Sequence, residues 1–312
     1  MSKIEPHITV LICTRDRPLE LARALRSISA LDYPSFDVLI VDSAPRHAHA
    51  RDAAASWGAA YIFEPNPGLS RARNRGCRVA RGEIIAMMDD DAVAEAGWLK
   101  GLGREFDDPL LMAVAGRIKN FEPETDEARL FGELFTADLG STRRIIDQSD
   151  PLWLERTCFG GVGNGANLVF RRTAFDIWPG FCEELGVGAR IGGGEEHHAF
   201  FSLVALGYRV AYLPDAAVSH PCPTNYKEFQ DRYFYSLSAQ VGYMAFLLAQ
   251  QPRYRLRLSK YFLQGVFRVR RTWRPVQVPR QFRMSLLKTI ASFILGLKNA
   301  ISTLNSVRLK SQ

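Results

Sequence analysis

Three consecutive aspartates, Asp89-Asp90-Asp91, close an apolar run at residues 83–88. A strand that stops in Asp-x-Asp can present two carboxylates to a hard divalent cation, Mg2+ or Mn2+, which can bridge to the diphosphate of a nucleotide. A cation there offsets the charge that builds on a departing phosphate, which is leaving-group catalysis by a Lewis acid. Two more polar clusters close apolar runs nearer the N-terminus: Thr14-Arg15-Asp16 after residues 8–13, and Asp42 after residues 36–41. An isolated Asp triplet also serves as a solvated loop or a helix N-cap. Its setting decides between these readings.

That setting is a series of alternating elements. ITVLIC (8–13) is apolar and β-branched, as a strand buried on both faces of a parallel sheet is. Pro18 suits a first helical turn, and Leu19, Leu21, Ala22, Leu25 and Ile28 follow at helical spacing. Strands are expected over 36–41, 60–63 and 83–88, with a helix over 71–81 after the turn residues Pro65-Asn66-Pro67-Gly68. Such alternation gives right-handed βαβ units and a mostly parallel sheet, with ligands at the carboxyl ends of its strands. All three polar clusters fall at such ends, which favours the metal reading of the triplet. No GxGxxG follows the first strand, which argues against a dinucleotide site, and the absence of GxxxxGK[ST] excludes a P-loop.

ITVLICTRDRPLELARALRSI, VLIVDSAP, NPGLSRARNRGCRVARGEIIAMMDDD, GANLVFRRTAF, GFCEELGVG and GGGEEHHAFFSLVALGYRVAYLPDAAVSH, in this order and spacing, resemble the inverting glycosyltransferases of family 2, which have the GT-A fold. The resemblance runs over residues 7–222. It implies an α/β fold of GT-A type: a mixed, mostly parallel sheet flanked by helices, with a C-terminal helical extension. Residues 1–110 would be the nucleotide-sugar-binding half, 111–222 the acceptor half and 223–312 the basic helical region. The implied activity is inverting transfer from a nucleotide diphosphate-sugar, UDP favoured, to a hydroxyl acceptor, with Mn2+ or Mg2+ as cofactor.

By the same resemblance Thr14, Arg15 and Asp42 line the nucleobase and ribose pocket. Arg73 and Asn74 face the nucleotide or its diphosphate, beside Asp89 and Asp90. Asp89 and Asp91 match the two metal carboxylates, Asp91 in direct contact, and His220 matches a position that often adds a ligand; a strand-end His also serves structural roles. Glu195 and Glu196 fall on the family's Glu-Asp pair. The second member, Glu196, is the general base that takes the acceptor proton on the face opposite the leaving diphosphate. Glutamate in place of aspartate leaves Glu195 open as the alternative base. The pair also suits a helix N-terminus, whose dipole favours carboxylates. His197 and His198 beside the pair have no assigned role. Gly165-Ala166-Asn167 suits either close approach to a sugar ring or a tight turn.

Five cysteines, an odd number with no CxxC pair, disfavour a disulfide framework or zinc knuckle and point to a reducing cytosol. The first residues lack the apolar stretch of a signal peptide, and no membrane span is expected. The net charge of +7 conceals an asymmetry: residues 253–312 hold 14 Lys or Arg and no acidic residue, against 26 basic and 33 acidic residues in the rest. A long helix over 226–250 should end at Pro252. Basic and aromatic residues, Trp273 among them, then interleave to 274, followed by a Pro-containing break at 275–279. Over 284–307, Leu286, Leu287, Ile290, Phe293, Ile294, Leu297, Ile301 and Leu304 share one helical face. A cationic helix with an apolar stripe fits an anionic membrane surface. The expectation is a cytoplasmic enzyme of polysaccharide biosynthesis, peripheral on the inner face of the plasma membrane, with a glycan or glycolipid acceptor. Packing of the tail on the domain or on a second copy is the alternative, and oligomeric state stays open.

Three rivals remain. A processive synthase of the same fold would carry membrane spans and QxxRW, and Gln230-Asp231-Arg232-Tyr233 departs from that motif. A sugar nucleotidyltransferase would place a Gly-rich loop after the first strand, where this chain has CTRDRP. A nucleic-acid binder fits the tail, but the acidic body argues against it. Residues 121–151 are expected to form a mobile acceptor loop or an ordinary insertion.

Overall fold

A computed structural model describes residues 5–134, 137–268 and 284–310. The first half is β1 (Ile8–Thr14), α1 (Pro18–Ile28), β2 (Phe36–Ser43), α2 (His49–Ser56), β3 (Ala60–Glu64), α3 (Leu69–Val79) and β4 (Ile84–Asp89). Then come β5 (Val93–Ala94), α4 (Leu102–Glu105), β6 (Leu111–Asn120), α5 (Asp126–Leu134), β7 (Arg144–Ile146), α6 (Trp153–Cys158), β8 (Asn167–Arg171), α7 (Ala174–Ile177), α8 (Glu195–Ala205) and β9 (Arg209–His220). The chain continues as α9 (Tyr226–Gln250), α10 (Arg255–Arg268) and α11 (Leu286–Lys310).

The strands form one mixed sheet in the order β3-β2-β1-β4-β8-β6-β9-β5, with β7 also on β9. β1 to β4 pair in parallel, and β8 runs antiparallel to both β4 and β6. β6 and β9 are parallel to each other, so β1, β2, β4, β6 and β9 all end at one edge. That edge receives Thr14, Asp42, Asp89 and His220. The apolar runs that mark these strands in the sequence are buried on both faces, Ile8, Val10, Leu11 and Ile12 in β1 and Ile84 to Met88 in β4. α1 starts on Pro18 and buries Leu21, Ala24, Leu25 and Ile28. α3 lies directly against β1 and β2, because Gly76 has no side chain: a Cβ there would stand 2.5 Å from Leu11.

The β6–β9 ladder is irregular. Gly116 pairs with Leu213, and the next residue, Arg117, pairs with Ala217, leaving residues 214–216 of β9 as a bulge before the strand resumes to His220. Residues 121–151 include regular elements. They contain α5, with Ala128 and Phe131 buried, and β7, which joins the sheet because Ile146 packs fully inside.

Two compact units divide the chain: Met1–Phe121, Ala137–Glu183 and Glu195–Pro221, which contains the whole sheet, and Glu122–Thr136, Glu184–Gly194 and Cys222–Gln312. In the second unit, α9 is capped reciprocally: Asn225 Oδ1 accepts from Glu228 N, and Glu228 Oε2 accepts from Thr224 N. α11 packs on α9 through small residues. Ser292 Oγ donates to Phe234 O, a Cβ on Gly296 would lie 2.4 Å from Ser238 O, and Ala300 and Thr303 are buried. Leu286, Leu287, Ile290, Ile294, Leu297 and Ile301 are exposed on the other side of the helix. Trp273 and the break at 275–279 lie outside the described residues. No helix among the described residues is long and apolar enough to cross a membrane.

Candidate active site

β4 ends in Asp89 because the strand runs out of apolar residues there, and the next two carboxylates turn back over the sheet edge. Asp89, Asp91 and His220 offer one ligand atom each, all within 4.8 Å of one another. His220 Nε2 stands 3.2 Å from Asp91 Oδ1 and 3.9 Å from Asp89 Oδ2. On the other side of the ring, Nδ1 is 3.0 Å from Pro221 O. A carbonyl only accepts, so Nδ1 carries a proton and Nε2 faces the carboxylates. With a neutral ring, Nε2 and Asp91 Oδ1 would be two acceptors face to face, and either a second proton or a cation must lie between them. The donor set, two carboxylates and an imidazole nitrogen, fits Mn2+ or Mg2+.

The charges around this cluster are uneven. Burial opposes the charged form of His220, but its pairing with Asp91 and the charge of Asp89 raise its pKa. Burial also works against Asp91, yet His220 and Arg17 hold its carboxyl well below the usual range. Asp90 does not face the cation position. It accepts from Thr14 Oγ1 at 2.7 Å and from Arg17 Nη1 at 2.7 Å, and burial pushes it up to about 6. Arg17 Nη2 also donates to Asp91 Oδ2 at 2.7 Å.

A second carboxylate cluster lies across a buried guanidinium. Arg73, on α3, donates through Nη1 to Glu195 Oε1 at 2.8 Å and through Nη2 to Gly165 O at 2.8 Å, with Asp89 Oδ1 at 3.4 Å. Its face covers the Phe181 ring. Glu195 and Glu196 open α8 and are both buried. Burial and the adjacent Glu196 push Glu195 up to about 7, against the pull of Arg73. Burial raises Glu196 as well, against the pull of its own backbone N–H at the helix start and of Arg73. Glu196 Oε2 has no hydrogen-bond partner. His197 and His198 are held neutral by burial, at about 4 each.

At the end of β2, Asp42 is fully buried. Tyr61 OH donates to its Oδ2 at 3.1 Å, and Oδ1 has no partner. Arg15 is exposed in the β1–α1 loop, where Asp16, at a φ of 56°, binds Arg46 through its backbone N–H and guanidinium. Asn74 was expected to face the nucleotide together with Arg73. In the structure both ends of its amide bond the backbone of Phe181, at 2.8 Å each. Arg73 likewise bonds protein groups.

Arg17 and Tyr61 escaped the reading of the sequence. Arg17 had a usable signal, a cation immediately before the Pro that opens α1, at the same strand end as Thr14. Tyr61 had none, since its partner lies on a neighbouring strand.

A mixed sheet of this order, with carboxylates gathered at its carboxyl edge, is the architecture of a GT-A glycosyltransferase. Residues 9–176 match the model of the family described as Glycosyl transferase family 2, more than half of the chain, and the chain belongs to that family. It is similar to the succinoglycan biosynthesis protein ExoM of Rhizobium meliloti, 28% identical over 70% of this chain and 68% of that protein. An N-acetylglucosaminyltransferase of Bradyrhizobium diazoefficiens is 24% identical over 72% of this chain, which spans only 47% of that longer protein. Among solved structures, the mannosyltransferase PcManGT from Pyrobaculum calidifontis, in complex with GDP-Man and Mn2+, superposes with a TM-score of 0.62 at 16% identity over 96% of this chain and 88% of that one. Residues 1–349 of S. aureus TarS, in complex with UDP-GlcNAc, give 0.54 at 14% identity over 97% and 92%. These two likenesses concern the fold.

Proposed function

We propose that this protein transfers a sugar, with inversion, from a UDP-sugar to a hydroxyl of a glycan or glycolipid acceptor, using a divalent cation. The supporting observation is the pairing, through Arg73, of the Asp89–Asp91–His220 cluster with the Glu195–Glu196 pair at one sheet edge. Asp89, Asp91 and His220 would hold Mn2+ or Mg2+. The cation, when bound, neutralises charge on the departing diphosphate. Residues 1–110 hold the donor in this reading, and 111–222 the acceptor.

Asp42 supports uracil as the base. With Oδ2 engaged by Tyr61, one orphan oxygen remains for a ring N–H. Uracil offers a single such N–H, whereas guanine's paired N–H groups would seek both oxygens. TarS was solved with UDP-GlcNAc and PcManGT with GDP-Man, so the fold accepts either base, and the one unpartnered oxygen of Asp42 supports a pyrimidine over guanine. Thr14 and Arg17 place Asp90 and Asp91, and Arg15 borders the same loop.

Glu196 is the general base. Glu195 Oε1 is engaged by Arg73, whereas Glu196 Oε2 has no hydrogen-bond partner, which leaves that oxygen to take the proton of an acceptor hydroxyl. The 14 basic residues of 253–312 and the outward stripe of α11 support an acceptor held at an anionic membrane surface, on its cytoplasmic side. ExoM, by its name, is a succinoglycan biosynthesis protein, which supports a glycan product.

The test is release of nucleoside diphosphate from a panel of UDP-, GDP- and TDP-sugars with Mn2+, with and without EDTA. Release of UDP that EDTA abolishes is expected. Release from none of the donors, or undiminished release in EDTA, contradicts the reading.

A further inference from the structure

Asn167 opens β8 beside the metal cluster and is 0% exposed. Its amide is fully engaged. Nδ2 donates to Arg117 O at 3.0 Å and to Ala216 O at 2.9 Å, and Oδ1 accepts from Trp98 Nε1 at 3.0 Å. The indole N–H can only donate, so it fixes which end of the amide is oxygen. The two carbonyls that Nδ2 joins lie on either side of the slip in the β6–β9 ladder, where the pairing jumps from Gly116–Leu213 to Arg117–Ala217. Gly116 belongs to the same joint: a Cβ there would stand 2.2 Å from both Ala216 O and Asn167 Nδ2.

Four residues beyond Ala216 the strand reaches His220. Between them β9 is clamped on two sides, Val218 to Ile118 and His220 to Asn120 of β6, and Val218 and Ser219 to β5. Successive side chains on a strand alternate faces, so a one-residue change in the bulge would turn His220 away from Asp89 and Asp91. On the other side, Asn167 pairs with Met88, the residue before Asp89. One side chain thus ties the strand that delivers the carboxylates to the bulge that delivers the imidazole.

We propose that Asn167 is a positioning residue that sets the register of β9 and so holds His220 against Asp89 and Asp91. This rests on the metal reading of those three residues. Partners that orient a ligand typically change metal affinity 10- to 100-fold when removed.

The experiment is Mn2+ binding, read from the free-ion EPR signal, in wild type, Asn167→Ser, Gly116→Ala, His220→Ala and the Asn167→Ser/His220→Ala double variant. Asn167→Ser, whose small side chain leaves room for water, should weaken Mn2+ binding about tenfold or more. Gly116→Ala should do the same by displacing the amide from the other side. In the double variant the Asn167 substitution should add nothing to the His220 loss, because its effect passes through that ring. A purely structural role would lower thermal stability without this non-additivity. Wild-type affinity in both Asn167→Ser and Gly116→Ala, or full additivity with His220→Ala, overturns the proposal. Absence of Mn2+ binding by the wild type instead overturns the metal reading beneath it.

Discussion

Asp91, partly buried, and Glu195, buried, are both carboxylates beside an arginine at the same sheet edge, yet they differ in charge. Asp91 has two cationic partners, Arg17 and His220, and stays ionised against its burial. Glu195 has Arg73 alone, which also serves Asp89 and Gly165 O, and it faces the negative Glu196. Burial therefore prevails at Glu195, whose pKa rises to about 7. The number of cations per carboxylate, together with depth, separates a cluster suited to hold a metal from a pair suited to move a proton.

The sharpest way to break this contrast is Asp91→Ala. It removes the most strongly ionised carboxylate of the candidate metal cluster and, on the proposed reading, should lower transfer by about 1,000-fold or more, with Mn2+ affinity lost in parallel. Glu196→Gln should cost about 100- to 10,000-fold in transfer while leaving donor binding unchanged in calorimetry. If Glu195→Gln has that effect and Glu196→Gln does not, the base is Glu195.

Titration gives the next effect. Transfer should rise with pH through about 7 as the coupled Glu195–Glu196 pair becomes fully ionised, and Glu195→Gln should displace that limb. A carboxyl raised in the folded state binds its proton more tightly there than in the unfolded chain. The folding stability it contributes is thus complete below the unfolded pKa of about 4.5 and lost as pH rises through about 7. Chemical denaturation of Glu195→Gln across pH 4 to 8 should show a shallower fall than wild type. Arg17→Ala should be the mildest, about tenfold or less in transfer, because Arg17 is nearly half exposed and His220 still holds Asp91.

The strands and the carboxylates at their ends were legible in the sequence because buried parallel strands read as continuous apolar runs and polar residues mark where they stop. Ile8 to Thr14 and Ile84 to Asp89 show this directly. The Glu195–Glu196 pair was legible through its spacing in a family pattern. Partnerships across strands were not: Tyr61 with Asp42, and Asn167 with Trp98, Arg117 and Ala216, join residues separated by 19 to 69 positions. β7 was missed because three residues give too short a period. In α11 the apolar stripe was visible, but Ser292, Gly296, Ala300 and Thr303 gave little hydrophobic signal for the face that packs on α9.

The most direct measurement of the central claim is thermal unfolding with UDP, GDP or TDP, each with and without Mn2+. A ligand at about 100 times its dissociation constant adds about 2.7 kcal/mol to the stability of the form that binds it. A rise in Tm with UDP that requires Mn2+, and that Asp91→Ala abolishes, is the predicted result. Equal stabilisation with and without metal, or none with any of the three nucleotides, would contradict it.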